Sequence, residues 1–234
     1  MKRLLVISDI HGCLDPFLRL LDQVGYRPGE DRLVLGGDYV DRGPHSKEVV
    51  AHVMHLAQHP EVVVLKGNHD ARFAEIVATR DERVKENFLR YGGVETLESY
   101  TGAPYVDSSY QDILGRIAAE HSDHIAFLAG LPLFHEDEDH IFVHAGLNPA
   151  YEDWKTQAER DFLYIRGDFH RTQRRYGRKV IFGHTVTKEF QHSAGLWFDG
   201  EKIGIDGGCA YGLQLNCLIV REGEYEQAAC SCAD

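Results

Sequence analysis

The sequence predicts an α/β protein: a single domain over residues 1–234, built on two sheet halves with a helical insertion over 71–130. Three observations carry this expectation. Strand-length apolar runs alternate with amphipathic helical segments through the first 70 residues. A more polar, helix-patterned stretch follows. The remainder returns to short apolar runs separated by Gly and Asp.

Taken in order, "RLLVIS" (3–8) is a continuous apolar run, the pattern of a strand covered on both faces. "LDPFLRLLDQV" (14–24) places Leu14, Phe17, Leu18 and Leu21 at helical spacing. "DRLVLGG" is a second buried strand, and "SKEVVAHVMHLAQ" a second helix with Ser46 as its expected N-cap. "EVVVLKG" is a third strand. This βαβαβ order argues for a parallel or mixed sheet with helical cover. The 71–130 stretch breaks at "YGG" and "TGAPYVDSS". After it, "PLFHE", "HIFVHAG", "KVIFGHT", "GLWFDG", "KIGIDGG" and "QLNCLIVRE" read as strands, with one helical stretch around 158–176. Between Lys155 and Lys179 eight Lys or Arg face only three acids, which reads as a solvated helix face, Arg166 apart.

Composition narrows the function. Hydrophobic residues make up 43% of the 234, enough for a sizeable core, which argues against disorder. A formal charge of −12 argues against a general nucleic-acid or anionic-membrane binder. Apolar stretches fall well short of the roughly 20 residues a membrane span needs, and the start "MKRLLVISDIHG" breaks at Asp9, unlike a signal peptide. A cytoplasmic protein is the expectation. The five cysteines fit it, being odd in number and scattered, with Cys230 and Cys232 read as tail thiols rather than a zinc site.

The chemistry collects where strands end. "SDIHG", "GDYVDRG", "GNHD", "HAG" and "GHT" each follow an apolar run and deliver Asp, Asn or His beside Gly. In open α/β sheets, ligands bind outside the carboxyl ends of strands. Any one of these motifs alone would pass as a turn; five in order do not. Asp9, His11, Asp38, Asn68, His144 and His184 offer oxygen and imidazole ligands without cysteine. That set suits two Mn, Fe or Zn ions, manganese taken first, sharing a carboxylate as in many phosphoester-cleaving sites. Asp9 and His11 are two apart, so in an extended segment they point to one side.

These five blocks resemble the signature motifs of the calcineurin-like metallophosphoesterases. "GDYVDRG" is similar to the phosphoprotein phosphatase branch, whose bacterial and phage members include small serine/threonine phosphatases and symmetrical dinucleoside tetraphosphatases. The resemblance implies a four-layer αββα sandwich with a dimetal site at one edge. It implies that Asp9 and His11 bind the first metal, that Asp38 bridges, and that Asn68, His144 and His184 bind the second. His69 is then the general acid, held by Asp41, and Arg42 and Arg166 bind phosphate oxygens. Asp70 stands where relatives often have Glu, in a supporting position.

The expected reaction is phosphomonoester hydrolysis by metal-bound hydroxide. Unaided, such esters require up to about 10²¹-fold acceleration, whereas a general acid supplies only about 10²–10⁴, so metal and arginine electrostatics must dominate. Cys13 is expected to be a packed thiol rather than a nucleophile. The substrate expectation is a phosphorylated protein, as for a serine/threonine phosphatase: some tetraphosphatases carry Ala where this chain has Asp41, while others keep the Asp, so Asp41 tilts the choice without deciding it. The alternative is a small phosphoester or nucleotide substrate, as for a symmetrical dinucleoside tetraphosphate hydrolase. A non-catalytic phosphate binder is disfavoured by intact Asp41, Arg42 and His69, and a nucleic-acid phosphodiesterase by the net charge.

Overall fold

The computed structural model describes residues 2–232. Strand β1 (Leu4–Ile7) is buried along its whole length. Successive side chains of a strand point to opposite faces, so Leu5 and Ile7 enter one core while Leu4 and Val6 enter another. That is why the sequence runs apolar there without alternation. Parallel neighbours β2 (Arg32–Leu35) and β3 (Val62–Val64) follow through helices α1 (Leu14–Gln23) and α2 (Ser46–Leu56).

The second sheet is built from β4 (Phe134–Glu136), β5 (His140–Val143), β6 (Lys179–Phe182), β7 (Trp197–Asp199) and β8 (Lys202–Gly204), in the order β4-β5-β6-β8-β7. Here β5, β6 and β8 are mutually parallel. The chain then returns to the first sheet as an antiparallel pair, β9 (Gln214–Arg221) and β10 (Glu224–Ser231), giving the order β10-β9-β1-β2-β3. The sheets pack face to face: Val6, Val34 and Leu218 of the first share a core with Phe142, Ile181 and Ile203 of the second. Phe17 and Leu20 of α1 and Val49 and Val53 of α2 cover the outer face of the first sheet. Phe162 of α8 (Glu159–Tyr164) and Phe169 of α9 (Gly167–Arg171) cover the second. The order is helix, sheet, sheet, helix.

Between the halves lie α3 (Asn68–Thr79), α4 (Lys85–Phe88), a kinked turn over Leu89–Gly93, α5 (Val94–Thr101), α6 (Tyr110–Glu120) and α7 (Ser122–Gly130). Helix α3 begins inside "GNHD", earlier than the expected start at 71, because Asp70 accepts the Gly67 N–H at 2.8 Å and caps the first turn. No helix among the described residues is long and apolar enough to cross a membrane.

Several expectations are corrected. Strand β10 escaped the reading because "EYEQAACS" is polar; it is an edge strand, paired only with β9, and needs no apolar run. The hairpin before it is set by Glu222 and Gly223, at φ 53° and 85°. Ser46 is the first helical residue rather than the N-cap, which is His45; its hydroxyl accepts the Asp41 N–H instead. The 158–176 stretch splits into α8 and α9. The basic segment is largely not a helix face: Arg178 and Lys155 pair with Glu136, and Arg174 reaches the carbonyls of Pro149, Tyr151 and Glu152. Cys232 is not a tail thiol but is disulfide-bonded to Cys209, because the β9–β10 hairpin returns the chain beside the turn after β8. Cys13 is packed as expected, and burial pushes its thiol up to about 11.

Candidate active site

The parallel strands decide where functional side chains gather. The segment after β1 carries Asp9 and His11, that after β2 carries Asp38, Asp41 and Arg42, and that after β3 carries Asn68 and His69. Across the sandwich, β5 delivers His144 and β6 delivers His184. The two sets meet: the His184 N–H donates to Asp9 Oδ1 at 3.0 Å, and His144 Nδ1 donates to the Gly36 carbonyl at 2.9 Å.

Strained backbone marks the same residues. Eight non-glycine positions have positive φ among the described residues, and six of them are Asp9, His11, Asp38, Asp41, Arg42 and His184. Each such conformation costs on the order of 1–3 kcal/mol and persists only where the surroundings enforce it. Asp9 and His11 therefore do not face one side through an extended segment. Left-handed turns at 57° and 48° direct them. Tight approach is part of the enforcement, since a Cβ at Gly183 would lie 2.0 Å from Asp9 Oδ2.

Asp38 sits at the middle. Two groups of donor atoms lie mutually within 4.8 Å among the described residues: His11, Asp38 and His69, and Asp38, His144 and His184. Asn68 Oδ1 is 3.0 Å from His144 Nε2. Asp9 belongs to neither group; its carboxylate accepts from the Ser8 hydroxyl and the His184 N–H. Carbonyl oxygens only accept, so Val40 O and Gly36 O fix a proton of His11 and of His144 on Nδ1 and turn each Nε2 inward. Imidazole, carboxylate and amide donors arranged around one shared carboxylate fit two borderline divalent cations.

The electrostatics follow from burial and crowding. Burial pushes the Asp38 carboxyl up, but His144 and His69 outweigh it and hold it well below the usual range. Burial opposes charge on His144, yet Asp38, at 3.4 Å, raises it to about 10. Burial and the positive His144 lower His184 to about 2, and burial also holds His11 well below its ordinary value. Asp70 is raised to about 7 by burial and by Asp38, while it accepts N–H groups from Asp38, Tyr39 and Gly67. It ties the β2 turn to the start of α3, the supporting position expected of it.

His69 and Asp41 form a buried pair, Nδ1 to Oδ2 at 2.6 Å. Arg42 places Nη1 2.6 Å from His11 Nε2 and Nη2 3.0 Å from His69 Nε2. Its fork thus meets imidazole nitrogens, not the open cavity alone. Arg166 donates from Nε to His184 Nε2 at 3.2 Å and from Nη2 to the His184 carbonyl.

Two residues near the site went unassigned in the sequence. Asp206 follows β8 just as the other candidates follow their strands, so the same rule would have found it. It is buried, and burial together with Asp9 raises its carboxyl well above the ordinary value. Thr96, fully buried in α5, hydrogen-bonds Asp41 from 55 positions away, and nothing local signals it.

Residues 2–188 match the calcineurin-like phosphoesterase family. The chain belongs to that family. The phosphoesterase is 28% identical to the asymmetrical bis(5'-nucleosyl)-tetraphosphatase PrpE of Bacillus cereus, over 94% of this chain and 91% of that protein. It is 34% identical to a symmetrical bis(5'-nucleosyl)-tetraphosphatase of Aromatoleum aromaticum, but over 62% of this chain and only 44% of that longer protein. Among solved structures, a candidate diadenosine tetraphosphatase superposes with a TM-score of 0.68 at 23% identity, covering 98% of this chain and 94% of that one. A serine/threonine phosphatase from Saccharomyces cerevisiae superposes at 0.66 and 16% identity, covering 100% and 81%. Both likenesses concern the fold.

Proposed function

We propose that this phosphoesterase hydrolyses dinucleoside tetraphosphates. The observation that carries the reading is the end-to-end relationship to a protein named for that substrate, with 94% and 91% of the two chains aligned. The cavity supports it. At about 1360 Å³ it exceeds the roughly 300–1,000 Å³ of ordinary small-ligand sites. Arg42, Lys66, Arg72, Arg83, Arg160 and Arg166 line it beside Asp38, Glu75, Glu159, Glu189 and Asp206, so on a chain of net charge −12 the wall offers a polyphosphate several guanidinium donors.

In this reading Asp9, His11 and Asp38 would hold one divalent cation, and Asp38, Asn68, His144 and His184 the second, with manganese first among Mn, Fe and Zn. When bound, the pair supplies activated water and neutralises phosphate charge. The chain's own groups do the rest. Arg42 exchanges its imidazole contacts for phosphate oxygens, and Arg166 closes on them from the opposite wall, two forked donors suited to such oxygens. Asp41 fixes the proton on His69 Nδ1, and a further proton on Nε2 goes to the departing oxygen.

A serine/threonine phosphatase is the second reading, favoured by the Asp41–His69 pair, because an alkoxide leaving group needs a proton more than a phosphate does. Purified protein supplied with Mn²⁺, assayed on diadenosine tetraphosphate and on a phosphoserine peptide, decides between them. Greater kcat/KM on the dinucleotide is expected, with products identifying a symmetrical or asymmetrical cut. Preference for the peptide overturns the proposal.

A further inference from the structure

Few large apolar side chains are exposed on this protein, and they are not scattered at random. Among the described residues the exposed aromatic ones are Tyr91, Tyr164, Phe198 and Tyr211. The three tyrosines all line the active-site cavity. A single exposed aromatic needs no explanation; three around one cavity do.

Two of them are paired with arginines of the same wall. The Arg42 guanidinium lies 5.1 Å from the Tyr211 ring centroid, and Arg72 lies 5.3 Å from that of Tyr91. Arg72 Nη1 is buried without a hydrogen-bond partner, so the guanidinium retains an unspent donor. Tyr91 is 44% exposed, although Arg90 also stands 6.0 Å from its ring centroid.

The placement of Tyr91 is enforced. It lies at the kink between α4 and α5, where Tyr91 and Gly92 both leave helical geometry, at φ −99° and 99°. The next residue, Gly92, sits at φ 99° and accepts the Arg42 N–H at 2.9 Å. A Cβ there would lie 2.5 Å from the Arg42 nitrogen. The turn is therefore docked on the backbone of the phosphate-facing arginine, and the adjacent tyrosine is carried to the cavity wall with it.

We infer that Tyr91 and Arg72 form a nucleoside-phosphate seat, the ring stacking a base and the guanidinium meeting the adjoining phosphate. This rests on the dinucleotide reading above and assigns the helical wall to one end of the substrate. Base stacking on an aromatic side chain tolerates any base, so the seat selects for the presence of a base rather than its identity.

Inhibition of p-nitrophenyl phosphate hydrolysis tests it, using diadenosine tetraphosphate and inorganic tetraphosphate as competitors. The ratio of their inhibition constants, taken within each variant, reads the contribution of the bases. Tyr91→Ala is expected to reduce the wild-type ratio by about tenfold, and Tyr91→Phe to keep it. Arg72→Gln is expected to weaken both competitors together. An unchanged ratio in Tyr91→Ala, or a wild-type ratio near one, overturns the seat. Turnover is scored separately. Base-dependent inhibition without dinucleotide cleavage leaves the seat and removes the substrate proposal, and cleavage with base-independent inhibition does the reverse.

Discussion

Thr96 Oγ1 donates to Asp41 Oδ1 at 2.7 Å and accepts the Asp41 N–H at 2.8 Å. Through these two bonds the inserted helical region holds the turn after β2. Thr96→Val keeps the shape but leaves a buried carboxylate oxygen and weakens the hold on the N–H, for which only Ser46 Oγ at 3.2 Å remains. Losing a partner to a buried polar group costs about 1–3 kcal/mol. Denaturant unfolding is expected to show that loss, with a fall in kcat larger than any rise in KM because Asp41 also orients His69.

The Asp41–His69 pair makes a second prediction. His69→Asn should lower kcat on an alkyl phosphate by about 10²–10⁴. Aryl phosphates and phosphoanhydrides leave without full protonation, so the same variant should lose much less on p-nitrophenyl phosphate and on diadenosine tetraphosphate. Equal losses on all three substrates would remove His69 from the acid role.

Much of this architecture was legible because the strands are short and buried on two faces. Runs such as "LLVI" and "HIFV" cannot alternate when both sides are covered, as Leu4 and Leu5 entering different cores illustrates. The polar residue after each run then stands out. The structure brings Asp38, His144 and His184 within 4.8 Å, and the strand-end rule had selected all three. What stayed hidden depends on chain return rather than local pattern. Thr96 reaches Asp41 across 55 positions, Cys209 meets Cys232 through a hairpin, and β10 hides its strand character at a polar edge.

His170 makes stability depend on pH. It packs on Phe190 and Phe182 with Nε2 buried and unpartnered. Burial, and then the charges of Arg166, Lys202 and Arg171, lower it to about 4. An unfolded histidine titrates near 6.5, so between about pH 6.5 and 4 the unfolded chain binds a proton that the folded one does not. Stability from this group is full above that window and falls as the pH drops through it. Denaturant unfolding at pH 7.5 and pH 5 should show wild type losing more than His170→Phe, a ring the aromatic site accepts. Identical losses would mean that the imidazole is protonated in place.

The Cys209–Cys232 disulfide gives the last prediction. It spans a sequence separation of 23, and in the chain-entropy account closing a loop of that size stabilises by about 3 kcal/mol. It also anchors the turn Cys209–Tyr211, whose Tyr211 ring lies under Arg42. Breaking it should therefore act twice: on global stability, and on how firmly the ring backs the arginine. Dithiothreitol is expected to lower the denaturation midpoint of the wild type and leave a Cys209→Ser/Cys232→Ser variant unmoved. Free Cys13, Cys217 and Cys230 predict three titratable thiols in the denatured, unreduced protein, against five after reduction. For the site, the double variant should raise KM more than it lowers kcat, since Asp38, Asp41 and His69 are held by bonds of their own. A midpoint insensitive to reductant would show that the pair contributes nothing to the fold, and an unchanged KM would detach the turn from substrate binding.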